Sequence, residues 1–499
     1  HFMCSLGWFL LFFAPMLQIS SFGVNTTYNA SNVDARHRKK TYKLGFLLPF
    51  NSATPCPKIL KATAMQYAPA IQIAVEKVNS DPRLNFNLTW VWNDTMCNES
   101  SAIRQQVWQI NDGVDVFLGP GKSCATTARN AVAFNKPVMS FQCKDAPLGD
   151  KKTYKTVART SITSIHITQP LLATLKQFKW KRIAIVYQIK SVKWEMIYQY
   201  MSKKIKDGNN NITVSHEEGV ELIYSEFHDQ NFKNLESSLT EIRKRARIVV
   251  LLMSSTLMIE YMFTAHKMGL VQTKDYVFIG FQLSPEVLFV KNVMKWYFSE
   301  FSGGEHMEEI MDSYGALLVI QARPIEDGKH KNNSNKGYKE FSSKIKRLSL
   351  SPPFKSDAYD GCLWNISAKE SRFGNCTIKT CQCLFSKNQS IVPIEASQIY
   401  HAVLQYAYAL NRTLAKNLEP NGINIINALK KHTFDSIFGY RMTFSDQADV
   451  MFNMTLLHQE YVRGTYEKSS CEPFDPNNPC LHMVSVAEFW INQTNVEEQ

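Results

Sequence analysis

Past its first two dozen residues, the 499-residue sequence has no run of about eighteen uninterrupted apolar residues, so no part of it is expected to span a membrane. It also lacks low-complexity tracts and any repeat at the scale of solenoids or propellers. The signatures of enzymatic chemistry are missing too: there is no HExxH, no GxSxG, no Walker lysine loop and no GxGxxG after a strand. GPGKS, starting at Gly119, is too short to be a phosphate loop, because it lacks the intervening residues that let successive amides wrap a phosphate. His166 and His401 fall within helical patterns, where packing or a surface position accounts for a lone histidine better than catalysis does. The pairs Glu217–Glu218 and Glu308–Glu309 are adjacent, so they diverge on any regular element, whereas acid–base chemistry needs convergent carboxylates. Neither catalysis nor a metal site is expected of this chain.

The charge is one-sided, at a formal +12. The cations are spread over short runs: RHRKK at 36–40, the lysines of 203–207, RKRAR at 243–247 and KIKR at 344–347. None is interleaved with aromatics as a base-stacking surface would be, so they read as solvated faces and no nucleic-acid partner is expected.

Compartment follows from the amino end and from the asparagines. Residues 1–23 contain an apolar core of about a dozen residues followed by small and polar ones, the proportions of a secretory signal, although the usual positive start is missing. Asn-x-Ser/Thr acceptors number thirteen, at Asn25, Asn29, Asn87, Asn93, Asn98, Asn211, Asn332, Asn365, Asn375, Asn388, Asn411, Asn453 and Asn492. They run the length of the chain, which implies a lumenal or extracellular protein throughout.

Of the eleven cysteines, Cys4 leaves with the signal, and an even number remains for a disulfide framework. Cys471 and Cys480 enclose EPFDPNNP, a turn-rich loop that brings its ends together, and are expected to pair. Cys362, Cys376, Cys381 and Cys383 form a cluster that could hold zinc or make two disulfides. Acceptors Asn365 and Asn375 lie inside it and mark it as lumenal, which favours oxidation, in any of three connectivities.

From residue 42 the chain alternates short apolar runs with helical stretches. YKLGFLLPF reads as a strand buried on both faces, and NFNLTWVWND, VDVFLGP, KPVMSFQ, RIAIVYQ, RIVVLLMSS and DYVFIGFQL continue the strand series. Helical spacing appears between them, as in VKWEMIYQYMSKKIKD, and the alternation implies parallel sheets with helices on both faces. Two such sets imply two doubly wound lobes. From about 320 to 395 the rhythm breaks into a basic, cysteine-bearing segment, expected to be an elaborated loop. SQIYHAVLQYAYALNRTLA then resumes as a helix, and RMTF and VMFNMTLL, separated by SDQAD, read as a strand pair.

The order of VDVFLGPG, a helix, NKPVMS, LGDKKTYKTVARTSITS and FKWKRIAIVYQ resembles the receptor ligand-binding family of periplasmic-binding-protein type I (Venus flytrap) fold. Within that family the sequence is most similar to the extracellular domains of receptor guanylate cyclases and natriuretic peptide receptors. KMGLVQTKDYVFIGF, HTFDSIFGYRMTFSDQADVMFNMTLL and the Cys471–Cys480 loop carry the resemblance onward, over roughly residues 42–480.

The resemblance implies a specific organisation. A polar arm at 24–41 precedes a membrane-distal lobe of 42–162 plus 285–411, with its Cys-rich insertion near 320–395. A membrane-proximal lobe of 163–284 plus 412–465 leads to a juxtamembrane segment at 466–499. It further implies a chloride ion at the turn, held by the amides of Gly121 and Lys122 and the hydroxyl of Ser52, at the positive end of a helix. The family's first disulfide maps onto Cys97 and Cys124, with Cys56 and Cys143 as competing partners. Function follows by the same resemblance: a single-pass cell-surface receptor that binds a peptide or other extracellular ligand and signals through reorientation within a homodimer. Its membrane anchor, and any intracellular cyclase domain, would lie outside this chain. Ligand contacts are expected near Gln188–Lys193 and Phe281–Ser284, at the strand ends. Two other readings remain: a secreted or anchored binding or clearance protein without signalling output, and the ligand domain of an amino-acid-sensing G-protein-coupled or channel receptor. SFQCKDAPLGD stands where amino-acid receptors carry a serine/threonine-rich stretch, which weakens the last reading.

Overall fold

The first sheet is built from the apolar runs anticipated in the first third of the sequence. A computed structural model describes residues 39–49, 64, 67–120, 124–143, 146–208, 211–221, 229–282, 307–323, 336–349, 352–354, 392, 394–461 and 481–489. Strand β1 (Lys40–Leu48) is buried from Leu44 onward and lies inside a five-stranded parallel sheet. Its neighbours are β2 (Phe86–Asp94) on one side and β3 (Val116–Leu118), β4 (Val138–Ser140) and β5 (Val157–Arg159) on the other. Helices α1 (Pro69–Asn79), α2 (Glu99–Asn111) and α3 (Cys124–Ala133) make the crossovers. Asn98 caps α2 by accepting from the Ser101 amide at 3.0 Å. The same helix drives Gln109 into the core, where its Nε2 donates to the Phe46 carbonyl at 3.1 Å and satisfies a group otherwise cut off from water. Only glycine at position 45 permits this approach, since a β-carbon there would sit 2.3 Å from Gln109 Oε1.

The second sheet begins after helix α4 (Ser164–Gln177). It holds β6 (Arg182–Gln188), β7 (Thr213–Val220), β8 (Ile248–Leu252), β9 (Val277–Gln282) and β10 (Leu317–Ala322), all parallel. Helices α5 (Val192–Asp207), α6 (Asp229–Arg245) and α7 (Ser255–Lys267) cross over between them. Helix α8 (Met307–Ser313) precedes β10, and the chain then passes through α9 (Lys336–Ser349), α10 (Ile394–Ala415) and α11 (Gly422–Leu429). Helices α9 and α10 pack against α1 of the first lobe. A small antiparallel sheet of β11 (Thr433–Asp435), β12 (Arg441–Phe444) and β13 (Val450–Met451) comes next. Strands β14 (Met454–Tyr461) and β15 (Leu481–Phe489) close the second sheet beside β10, antiparallel. No helix among the described residues is long and apolar enough to cross a membrane.

Several expectations need correction. Residues 285–411 do not belong wholly to the first lobe, because β10 pairs with β9 in the second sheet before the chain returns. An apolar run such as LLVIQA says that a strand is buried, not which sheet buries it. RMTF pairs, as expected, with the first two residues of VMFNMTLL, which form β13, but the rest of that run is β14 and joins β10 instead. Part of the segment expected to be a juxtamembrane tail is strand β15. Helix α9 occupies part of the segment expected to be a loop, while residues 355–391, with Cys362, Cys376, Cys381 and Cys383, lie outside the described residues. The expected signal at 1–23 lies outside them as well.

Gly119, at the turn after β3, has φ of +104°, and a β-carbon there would lie 2.5 Å from the Leu47 carbonyl oxygen. Neither the backbone angle nor the neighbouring backbone can yield cheaply. Gly119→Ala is therefore expected to destabilise the chain by about 1–3 kcal/mol, seen as a lower denaturant midpoint with an unchanged slope.

Candidate ligand cleft

The chain leaves the first sheet at Arg159, the last residue of β5, and there it meets a carboxylate distant in sequence. Arg159 Nε and Nη2 donate to Asp449 Oδ1 and Oδ2 at 2.9 and 2.5 Å, a two-pronged contact. Lys151 Nζ donates to the same Oδ1 at 3.0 Å and to the Val157 carbonyl at 3.0 Å. The backbones join in: the Arg159 amide donates to the Ala448 carbonyl at 3.1 Å. Arg159 and Asp449 are 1% and 3% exposed, so both charges have left water and depend on each other.

Titration in this cluster follows from burial and charge together. Burial alone would raise the Asp449 carboxyl, but Arg159 and Lys151 outweigh it and hold the group below its usual range. Burial pushes Lys151 down to about 8, against the pull of Asp449. His166, in the first turn of α4, is pushed down to about 4 by burial, with Asp449 opposing and Arg159 assisting. Its Nδ1 accepts from the Thr163 amide at 2.8 Å, as only a neutral ring can. Outside this cluster, His401 on α10 is pushed to about 3 by burial alone.

The second lobe approaches the same region. The amide of Arg323, just after β10, donates to the Asn453 carbonyl at 2.8 Å, and its guanidinium lies 5.7 Å from the Tyr440 ring. The carboxyl ends of β5 and β10 are thus both tied to the segment 440–453. Both parallel sheets turn their carboxyl edges toward the connection between the lobes, the edge at which α/β sheets bind ligands. On the second lobe this edge carries neutral hydrogen-bonding groups beside one ion pair, Lys190 Nζ with Glu221 at 2.8 Å. Gln188 Oε1 accepts from the Ser254 amide at 2.9 Å, and Ser255 Oγ donates to Gln282 Oε1 at 3.3 Å. Behind them Tyr187 stacks on Tyr198 at 3.8 Å. On the first lobe Gln142 Nε2 donates to the Tyr67 hydroxyl at 3.3 Å, and Ser161 Oγ to the Cys143 carbonyl at 3.2 Å.

The residues singled out in the sequence divide as follows. Gln188 and Gln282 lie on adjoining parts of one edge, bridged by Ser254 and Ser255. Ser52, Gly121, Lys122, Cys56, Cys471, Cys480 and Ser284 lie outside the described residues. The disulfide implied between Cys97 and Cys124 is corrected: Cys124 bonds to Cys143, with Cα atoms 5.9 Å apart, and Cys97 is disulfide-bonded elsewhere. The reason is placement. Cys124 opens helix α3 at the carboxyl end of β3, directly beside the loop that follows the neighbouring strand β4. Of the described acceptors, Asn98, Asn211 and Asn411 are exposed, while Asn87, Asn93 and Asn453 are half-buried. Glu217 and Glu218 do diverge: the first meets Ser202 and Lys206, the second Ser238 and His216. The Arg159–Asp449 pair was not foreseen. Its partners stand 290 residues apart, and nothing in a single sequence links them.

Residues 66–458 match the receptor family ligand binding region. The chain belongs to that family. Receptor-type guanylate cyclase Gyc76C of Drosophila melanogaster is 24% identical over 452 residues, which is 84% of this chain and 26% of the relative. The Resact receptor of Arbacia punctulata is 23% identical, over 63% of this chain and 31% of its own length. The chain thus spans about a quarter to a third of these relatives. Among solved structures, a solute binding protein of an ABC transporter from Rhodopseudomonas palustris, in complex with 3,4-dihydroxybenzoic acid, superposes with a TM-score of 0.54. It is 14% identical and covers 90% of this chain and 97% of its own, so the two share the periplasmic-binding fold.

Two outcomes are expected at the buried cluster. Arg159→Met leaves a buried carboxylate short of its partner and should cost about 3–5 kcal/mol, whereas Arg159→Met with Asp449→Leu should cost clearly less. Chemical unfolding of the three proteins checks this. Acidification should also destabilise the receptor domain. His166 and His401 titrate near 4 and 3 when folded, against about 6.5 when unfolded. The unfolded chain therefore takes up more protons as pH falls below about 6.5, and stability drops through that window by up to about 1.4 kcal/mol per pH unit for each histidine. His166→Asn should make the fall between pH 6.5 and pH 4 shallower.

Proposed function

We propose that this chain is the extracellular ligand-binding region of a single-pass receptor of guanylate cyclase type. It takes up a peptide between the carboxyl edges of its two parallel sheets and signals as a homodimer whose second lobes reorient. The observation that carries this reading is the shared orientation of those two edges about a charged hinge. A ligand touching both lobes binds one lobe arrangement better than another, and that difference is all that can drive a signal. The neutral amides and hydroxyls of Gln188, Ser254, Ser255 and Gln282 suit the peptide group, which both donates and accepts. Gln188 Nε2 has no partner among the described residues, so its donor is available to a ligand. The acceptor sequons along the chain fit an extracellular setting. A chloride ion at Ser52, Gly121 and Lys122 belongs to the same reading. Helix α3, which follows that turn, has no acidic residue in its first turn to compete with an anion.

Dimerisation is supported by apolar side chains on neighbouring helices of the first lobe. Trp108 on α2 is 53% exposed and Phe134, just past α3, 52%, and contiguous exposed apolar surface of this kind marks interaction sites. Trp108→Glu is expected to convert a dimer into a monomer in sedimentation equilibrium. A wild-type chain that sediments as a monomer at micromolar concentration would overturn the dimer reading.

Function is tested by joining this chain to the membrane span and cyclase region of a receptor guanylate cyclase. Cells carrying the fusion are exposed to peptide fractions from the source tissue. A rise in cyclic GMP, lost in Gln188→Ala with Gln282→Ala at equal surface expression, is the expected result. Binding of a peptide without any rise would favour a clearance protein.

A further inference from the structure

The starts of the parallel strands in the second sheet share one edge, opposite the ligand-facing one. Registers fix this alignment: Arg182 pairs with Thr213, Ile183 with Ile248, and Ile248 with Val277. Segments just ahead of these strands are therefore neighbours, joined by backbone bonds. The Thr213 amide donates to the Lys181 carbonyl at 2.7 Å, and the Val277 amide to the Arg247 carbonyl at 3.0 Å. Ser215 Oγ donates to the Arg245 carbonyl at 3.1 Å. Segments distant in sequence thus deliver Lys179, Lys181, Arg182, Arg245, Arg247 and Lys274 to one rim, all exposed.

Few carboxylates answer them. Glu241 is shared between Lys244 at 2.7 Å and Arg245 at 3.5 Å. Arg247 lies over the Tyr276 ring at 4.8 Å and donates to the Arg243 carbonyl, with no acid partner among the described residues. Lys179, Lys181, Arg182 and Lys274 likewise make no ion pair among the described residues. Asp207 and Asp275 are the exposed acids nearest in sequence to this rim.

Helix ends explain only part of the pattern. A cation in the last turn of a helix complements its dipole, and α4, α5, α6 and α7 all end on basic residues at this rim. In the first lobe, in the same topological position, α1 ends on Lys77 but α2 and α3 end with none. Lys179, Lys181, Arg182, Arg247 and Lys274 lie outside helices altogether. Helix ends therefore do not account for all the cations of this rim.

We propose that the amino-terminal edge of the second sheet docks a sulfated extracellular polysaccharide. The order β9-β8-β6 spreads these cations along a line, with the strand starts about 4.8 Å apart. A row of that kind matches a linear polyanion with closely repeated sulfates better than it matches a flat sheet of lipid headgroups. Phe178 and Trp180, stacked at 4.6 Å beside Lys179, add an apolar face of the kind that packs on sugar rings. Binding would arise from charge neutralisation with release of counterions, so it must weaken steeply with salt. The surface is separate from the cleft, and the inference does not depend on which ligand the cleft takes.

The test uses the whole chain with heparin as the probe, at about 0.15 M salt. One variant carries Lys179→Asn, Lys181→Gln, Arg182→Gln and Lys274→Asn. A matched variant loses equal charge elsewhere, through Lys152→Gln, Lys155→Gln, Lys344→Gln and Lys416→Gln. Heparin affinity is expected to fall by roughly tenfold or more in the rim variant, with a shallower salt dependence. The matched variant should change by less than about threefold, and both should unfold at the wild-type midpoint. Absence of heparin binding by the wild type overturns the proposal, as does an equal loss in both variants. Tighter binding to vesicles of equal phosphatidylcholine and phosphatidylserine than to heparin overturns it in favour of a lipid surface.

Discussion

The structure depends on one buried ion pair. Arg159 ends the first sheet, Asp449 immediately precedes β13 of the small third sheet, and the bond between them joins these two points, 290 residues apart in the chain. Two charges removed from water are costly unless each satisfies the other with good geometry. Here the guanidinium and carboxylate meet along two bonds, Lys151 adds a third, and the backbones pair beside them. A surface contact in this position could shift with salt or rotamer. A dry, forked one has a single arrangement.

Around that point the two lobes have divided their edges. The carboxyl edges face the connection, and on the second lobe they carry amides and hydroxyls beside a Lys190–Glu221 pair. The opposite edge of the second sheet carries the excess of cations, which attract over distance and with little directional demand. The overall charge of +12 is therefore not spread evenly, and the basic run at 243–247, unremarkable as a sequence, is one part of a rim assembled from several segments.

Much of the fold was legible because its strands are short apolar runs and its helices have a clear period. Strand β6 and helix α5 occupy the same residues that the sequence predicted, 182–188 and 192–207. Strand β7, TVSHEEGV, was not foreseen. It lies at the edge of the sheet and is nearly all half-buried, so it shows neither an apolar run nor clean alternation, and pairing with β6 alone makes it a strand. Of the candidate cleft, Gln188 and Gln282 were approached through the rule that ligands meet strand ends. Their bridging partners Ser254 and Ser255 could not be, because that contact depends on how β6, β8 and β9 lie side by side.

The sequence by itself determined the class of fold and the parallel lobes, because these rest on local periodicity, composition and short motifs. It also carried the family resemblance, which resides in contiguous stretches. Tertiary structure alone decided which lobe takes β10, which cysteine Cys124 bonds, and where Arg159 finds its carboxylate. Those choices are made between residues far apart in the chain, where loop closure costs little more for a long loop than for a short one. Sequence separation therefore says almost nothing about which partner is taken; packing and the need to pair buried charge say the rest.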